Sequence, residues 1–134
     1  MEVAARLGGG HDAELCAAAT GVDLNGLAID AALGRASNRL LQSRTGGAGG
    51  AAIAFLVPPV GSLVAVDGVE EAEAVEGVRW VRVYRRPGHV FGPLRRGADR
   101  AGAVLATGAT RAEALERARR AADAVRFRVD ADAP

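Results

Sequence analysis

Lysine is absent from this 134-residue sequence, and all 17 basic side chains are arginine. A G-x-x-x-x-G-K-[ST] phosphate loop is therefore excluded, because that loop needs the amine to reach the terminal phosphates. Cysteine occurs once, at Cys16, so no internal disulfide can form and a reducing, cytoplasmic setting is expected. As a nucleophile Cys16 has only His11 nearby in sequence to serve as base, so an inert thiol buried in an alanine-rich helix is expected. Histidine occurs twice, at His11 and His89, and two isolated imidazoles do not make a zinc site. Aromatics are 4% of the chain, so the core must be built from small aliphatic groups. No run of 18 apolar residues is present, so no membrane span or membrane partner is expected. Met1-Glu2 opens acidic, without a basic n-region and apolar h-region, so no secretory signal is expected.

What is present is a chain that is 49% hydrophobic with a net charge of +1, enough to bury one core and far from a disordered composition. Its opening stretch carries the chemistry. Glu2 is followed by Arg6 and then by Gly8, Gly9 and Gly10. A carboxylate can hold a divalent cation that bridges phosphate oxygens. An arginine offers a flat fork of donors to an oxyanion. Glycines let backbone N–H groups approach an anion closely. The same spacing also suits a flexible leader into the first helix.

The rest divides in three: residues 1–34, a glycine-rich linker at 35–50, and a unit at 51–130. Asp12 is placed to cap a helix running to about Thr20, closed by Gly21. Asp23 is placed to cap a second, with Leu24, Leu27, Ala28 and Ala31 on one stripe and Gly34 at its end. From residue 51 the pattern turns to strands. Residues 52–57 read as a strand buried on both faces and stopped by Pro58-Pro59, and residues 63–67 as the next. Residues 69–75 form a short acidic helix, and 78–84 a strand with a bulge or an edge position. Residues 85–98 are turn-rich, and 100–107 form a small-residue strand.

Thr110-Arg111-Ala112-Glu113 is a capping box that opens the strongest helix, with Leu115, Ala118, Ala122 and Val125 inward. The pairs Glu113–Arg117 and Glu116–Arg120 mark its wet side. Val125, Phe127 and Val129 alternate with arginines in a last strand. The fold class expected is α+β: short N-terminal helices, then a mostly antiparallel sheet covered on one face by two helices.

Several short patterns also resemble a known family in order and spacing. Glu2-x-Ala4-x-Arg6-x-Gly8-Gly9 resembles the Glu-x-Asn-x-Arg-x-Gly-Gly strand of ATP-grasp carboxylate–amine ligases, the group that includes L-amino-acid ligases. Thr20-Gly21-Val22-Asp23-Leu24 resembles the turn that follows it there. Phe55-Leu56-Val57-Pro58-Pro59-Val60-Gly61 resembles the family's F-L-x-P-P-x-G turn. Pro87-Gly88-His89, Asp99-Arg100-Ala101-Gly102 and residues 107–114 resemble its C-terminal subdomain. Ala4 stands where the family usually has a metal-binding asparagine. The resemblance covers the last third of such an enzyme.

It implies ATP and Mg²⁺ as cofactors, Glu2 as a metal ligand, Arg6 as the catalytic oxyanion donor, and Gly8 and Gly9 at the substrate. The family's adenine pocket, phosphate-holding lysines and second metal carboxylate lie upstream of its counterpart of Glu2. The chain is therefore expected to act as a partial ligase, inactive alone and completed by a separate chain or by upstream sequence. An interaction or oligomerisation module derived from that fold, such as a homodimer, is the alternative.

A third reading comes from the residues themselves. Residues 79–100 hold arginines at 79, 82, 85, 86, 95, 96 and 100 against one acid, Asp99. Such a stripe can track phosphates. The net charge of +1 argues against a nucleic-acid partner, and none is expected.

Overall fold

Thr110 stops the preceding strand in extended conformation, and its hydroxyl accepts from the Glu113 N–H at 3.2 Å. The Glu113 carboxylate reaches back to the Ala109 N–H at 2.7 Å, one residue earlier than the usual box partner. This cap launches the longest helix of the computed structural model, which describes residues 6–35 and 47–131. In chain order the elements are α1 (Asp12–Thr20), α2 (Leu24–Ala32), β1 (Gly50–Leu56), β2 (Gly61–Asp67), α3 (Val69–Glu73), β3 (Val78–Val83) and β4 (Val90–Phe91). A 3₁₀ turn (Gly97–Asp99), β5 (Gly102–Gly108), α4 (Arg111–Ala124) and β6 (Arg126–Asp130) follow.

The α+β class is as expected, but the strands form two small antiparallel sheets instead of one. The first has the order β1-β5-β3, with Ala54 opposite Val104 and Val81 opposite the same valine. The second has the order β4-β2-β6. After Pro58-Pro59 the chain cannot continue the ladder, and β2 turns to pair with β6 and the two-residue β4. Gly61 is central to that pairing. Its φ is 138°, and a Cβ there would overlap the Asp130 carbonyl. β4 lies in the segment read as turns, because a two-residue strand leaves no alternation to detect.

The first sheet is covered on both faces. One face packs on α3 and α4. There Leu56, Val104, Ala72, Ala121 and Val125 are buried together. The inward line of α4 is Ala114, Ala118 and Ala121, continued by Val125; Leu115 and Ala122 sit at its margin. Alanine lets the helix axis approach the sheet closely, so the smallest residues won the centre of the stripe. α1 packs against β1 and β5, and β1 is half-buried along most of its length rather than sealed on both faces. A second cluster, Leu63, Phe91 and Ala101, fills the other sheet, and Val66 and Phe127 pack against both clusters.

The Asp23 carboxylate accepts from the Gly26 N–H at 2.9 Å, the cap expected for α2. Its stripe is less covered than expected. Leu24 and Leu27 are half-buried, while Ala28 and Ala31 are exposed. α1 begins at Asp12 instead of being capped by it. Its N-cap is His11, in left-handed conformation and without a side-chain cap bond. Most of the glycine-rich segment at 35–50 lies outside the described residues. Its end is packed: the Ala48 and Gly49 N–H groups donate to the Ala18 and Ala19 carbonyls at 3.2 and 3.3 Å. A Cβ at Gly47 would overlap α1, and one at Gly50 would overlap Thr110, so these glycines serve close backbone approach.

Candidate functional site

The bulge in β3 sets up the site. The register shifts between Val78 and Trp80, so Arg79 is skipped, and Trp80 then pairs with Leu105 and Arg82 with Ala103. Phe55 and Ile53 pair with Ala103 and Leu105 from the other side. Directly paired residues share a sheet face. Phe55, Trp80 and Arg82 therefore stand on the face that α1 covers, and the loop after Arg6 arrives there.

His11 anchors the loop. Its Nδ1 lies 2.7 Å from Glu14 Oε2, one helical turn on, and its Nε2 lies 2.5 Å from the Tyr84 hydroxyl. An ionised carboxylate only accepts, so Nδ1 carries the proton toward Glu14, and Nε2 shares the second hydrogen bond with the tyrosine hydroxyl. The other Glu14 oxygen takes a 2.6 Å hydrogen bond from Arg82. The Arg82 guanidinium also sits 4.2 Å from the Trp80 ring centroid, and the His11 ring meets Trp80 edge-on at 5.0 Å. Beside this group, Arg100 stacks 3.7 Å over Phe55. Gly10, at φ 68°, passes so close that a Cβ would reach the Phe55 ring edge at 3.4 Å.

The Arg82 hydrogen bond holds the Glu14 carboxyl below its usual range; partial burial opposes it, and His11 reinforces it. Burial pushes the Tyr84 phenol upward. The Glu14–His11–Tyr84 chain, with Arg82, ties the opening loop to the sheet and so acts as a latch.

The sequence-expected site residues separate here. Glu2 lies outside the described residues. Arg6 is exposed, and its guanidinium donates only to the neighbouring Leu7 carbonyl at 3.3 Å among the described residues. The space a Cβ would take at Gly8 is filled by the Asp12 carboxylate, whereas Gly9 faces open space. Cys16 is half-buried rather than buried, with its sulfur 3.5 Å from the Thr20 hydroxyl. Among the described residues no group of three or more His, Cys, Asp or Glu side chains converges to hold a metal. Glu2, the metal ligand that the resemblance implies, is not among those residues, and the sequence carries no lysine amine to hold a nucleotide's phosphates. No described helix is long and apolar enough to cross a membrane.

Of the residues that assemble the site, Glu14 and Phe55 draw no site reading from sequence, while His11 reads only as a base for Cys16 or a zinc ligand, Arg82 only as part of a phosphate-tracking stripe, and Trp80 and Tyr84 as core, edge or stacking residues. The available signals were the i, i+3 spacing of His11 and Glu14 and the alternation Trp80-x-Arg82-x-Tyr84. Neither indicates that the two stretches meet.

Comparison with known proteins gives a consistent picture. The family model for L-amino acid ligase C-terminal domain 2 matches residues 54–130. Uncharacterized protein y4rH of Sinorhizobium fredii (strain NBRC 101917 / NGR234) is 35% identical over 128 residues, covering 93% of this chain and 26% of that protein. The crystal structure of phosphoribosylglycinamide synthetase from Anaerococcus prevotii superposes with a TM-score of 0.72 at 9% identity, over 90% of this chain and 30% of that one. That of L-amino acid ligase from Bacillus licheniformis gives 0.67 at 18% identity, over 88% and 30%. At such identities the two structures speak for the fold. The chain spans between a quarter and a third of the length of each of these relatives.

Proposed function

We propose, from the premise that this chain belongs to the L-amino acid ligase C-terminal domain 2 family, that it forms the C-terminal part of an ATP-dependent carboxylate–amine ligase. The nucleotide-holding part would come from upstream sequence or from a partner chain. One observation carries this reading. The loop that follows Arg6 is fastened to the sheet of the family-matched region by His11–Tyr84 and Glu14–Arg82. Gly9 in that loop faces open space, and Arg6 at its start is exposed.

In this reading the family's chemistry joins a carboxylate to an amine using ATP. Arg6 faces the oxyanion, and Gly9 leaves room for the substrate backbone. Glu2, at the start of the same stretch, is the proposed metal ligand, and Gly8 lines the loop. The test is turnover. The chain alone, given Mg²⁺, ATP and amino acids, is expected to release no ADP. The chain joined to its in-frame upstream sequence, or to a co-expressed nucleotide-binding partner, is expected to release ADP and a ligated product. Arg6→Gln should then lower the rate by on the order of 10²–10³, as loss of a preorganised oxyanion donor does. ADP release by the chain alone would overturn the division of labour.

One observation favours the second reading, an interaction or self-association module. Ile29 and Leu33 near the end of α2 are 59% and 56% exposed. Light scattering on the purified chain separates the two. A stable oligomer that dissociates on Ile29→Asp supports the module, and a monomer counts against it.

A further inference from the structure

The arginine stripe divides on folding. Arg82 and Arg100 are spent on Glu14 and Phe55, as above. Arg85, Arg95 and Arg96 turn to a different place, a groove of 680 Å³ between β4 and the 3₁₀ turn, where His89 and Phe91 complete the wall. A volume of roughly 300–1,000 Å³ suits a small ligand.

The groove contains one acid, Asp99, and it is already committed. One of its oxygens accepts from the Arg95 and Arg96 N–H groups, each at 3.0 Å, and the other from Arg96 Nε at 3.2 Å. Asp99 thus closes the turn and offsets Arg96. Arg85 is oriented by neutral partners: its guanidinium donates to the Ala98 carbonyl at 2.8 Å and to the Tyr84 carbonyl at 3.4 Å. Those bonds fix its direction without cancelling its charge. The Arg95 side chain has no hydrogen bond or ion pair among the described residues. His89 is held edge-on against Phe91 at 4.8 Å, which keeps its ring on the wall. Two positive charges, one fixed and one free to swing in, are left unbalanced around one small cavity.

We propose that this groove binds a phosphoryl oxyanion, as free phosphate or as the phosphate of a small molecule, through Arg85 and Arg95 with His89 alongside. Guanidinium forks match the geometry and charge of a phosphoryl dianion. A nucleic-acid strand fits less well, because it needs aromatic faces for its bases. Trp80 and Tyr84 are engaged by Arg82 and His11, and Phe91 is 3% exposed. The assignment does not depend on ligase activity, and the groove is built without Arg6.

The test is titration of the purified chain, followed by calorimetry and by NMR of the arginine Nε–H groups. The probes are inorganic phosphate, O-phosphoserine and a short single-stranded oligonucleotide. Saturable binding of phosphate or phosphoserine is expected, with the Arg85 and Arg95 signals moving. Tighter binding of phosphoserine assigns the site to phosphorylated small molecules, and equal binding assigns it to the free ion. Arg95→Gln removes an exposed side chain and should weaken binding about tenfold, the scale of one charge-assisted contact. Arg119→Gln removes the same charge from α4 and should leave binding unchanged. Equal losses in both variants would mean diffuse attraction and overturn the site. So would stronger binding of the oligonucleotide, or no saturable binding by either phosphate. A response lost in Arg6→Gln but kept in Arg95→Gln would move the anion to the glycine loop and also overturn the groove assignment.

Discussion

His11 and Tyr84 meet at 2.5 Å across 73 positions of sequence, and through that contact the opening loop is fixed to the sheet. His11 is the one described non-glycine residue with positive φ, 71°. Left-handed backbone costs a β-carbon-bearing residue about 1–2 kcal/mol. The bonds to Glu14 and Tyr84 offset that strain.

Tyr84→Phe keeps the ring and removes the hydroxyl. The loss expected is about 0.5–1.5 kcal/mol, the net worth of one hydrogen bond. It should appear locally, as faster amide hydrogen exchange in α1, because the cluster under α4 does not involve Tyr84. Unchanged exchange in α1, with a lower melting temperature of the whole domain, would contradict the latch.

The same latch should loosen in acid. Arg82, assisted by His11, holds the folded Glu14 carboxyl below its usual 4.5. A lowered folded pKa means that the contribution is fully present above 4.5 and is lost as pH falls through the folded value. Trp80 fluorescence and α1 exchange should therefore change as pH falls below 4.5. Glu14→Gln should show weaker docking at neutral pH and a flat response in that acid range. An unaltered acid transition in that variant would assign it to other carboxylates.

Much of the fold was legible because periodicity and caps are local. Thr110 with Glu113 announced α4, Asp23 announced α2, and the alternation of Phe127 and Val129 with Arg126 and Arg128 announced β6. The split into two sheets was not legible, since each strand's pattern is satisfied by either partner set. Of the candidate site, residue types were legible and their assembly was not. Arg6, Gly8 and Gly9 stand out as residue types, but the groups that hold their loop come from β3 and α1, and only folding brings these together. Proximity in sequence also misled. His11 was the nearest base to Cys16, yet it bonds Glu14 and Tyr84, while the Cys16 sulfur rests beside Thr20.

Gly102 tests whether β5 must be bare where it passes between its neighbours. It lies opposite both Leu56 and Val83, and a Cβ there would overlap the Arg82 carbonyl and the Leu56 side chain. Gly102→Ala usually stabilises a chain when the site tolerates it, by restricting the unfolded state. Here it should destabilise by about 1–3 kcal/mol, the scale of overpacking, as read from urea unfolding. Because the Arg82 backbone must move, α1 protection should fall in the same variant. A neutral result would mean that β3 yields without cost.

Arg117 lies on the side of α4 that the Glu113 pairing marks as wet, and its side chain is 19% exposed. It bonds Glu113 at 2.7 Å, Glu76 at 2.8 Å and the Thr107 carbonyl at 2.9 Å, joining α4 to the end of β5 and to the loop before β3. An exposed i, i+4 pair contributes about 0.3–0.5 kcal/mol, whereas a hydrogen bond to a charged group contributes about 1.5–3. The Thr107 carbonyl decides between these scales. Arg117→Met preserves the stem and removes the donors, leaving that carbonyl without its guanidinium partner. A loss of about 1.5–3 kcal/mol is expected in denaturant melts. Glu113→Gln breaks the ion pair but keeps an acceptor for the Ala109 N–H, and should cost under about 1 kcal/mol. If the two variants cost the same, the helical ion pair, and not the contact to β5, sets the contribution of Arg117.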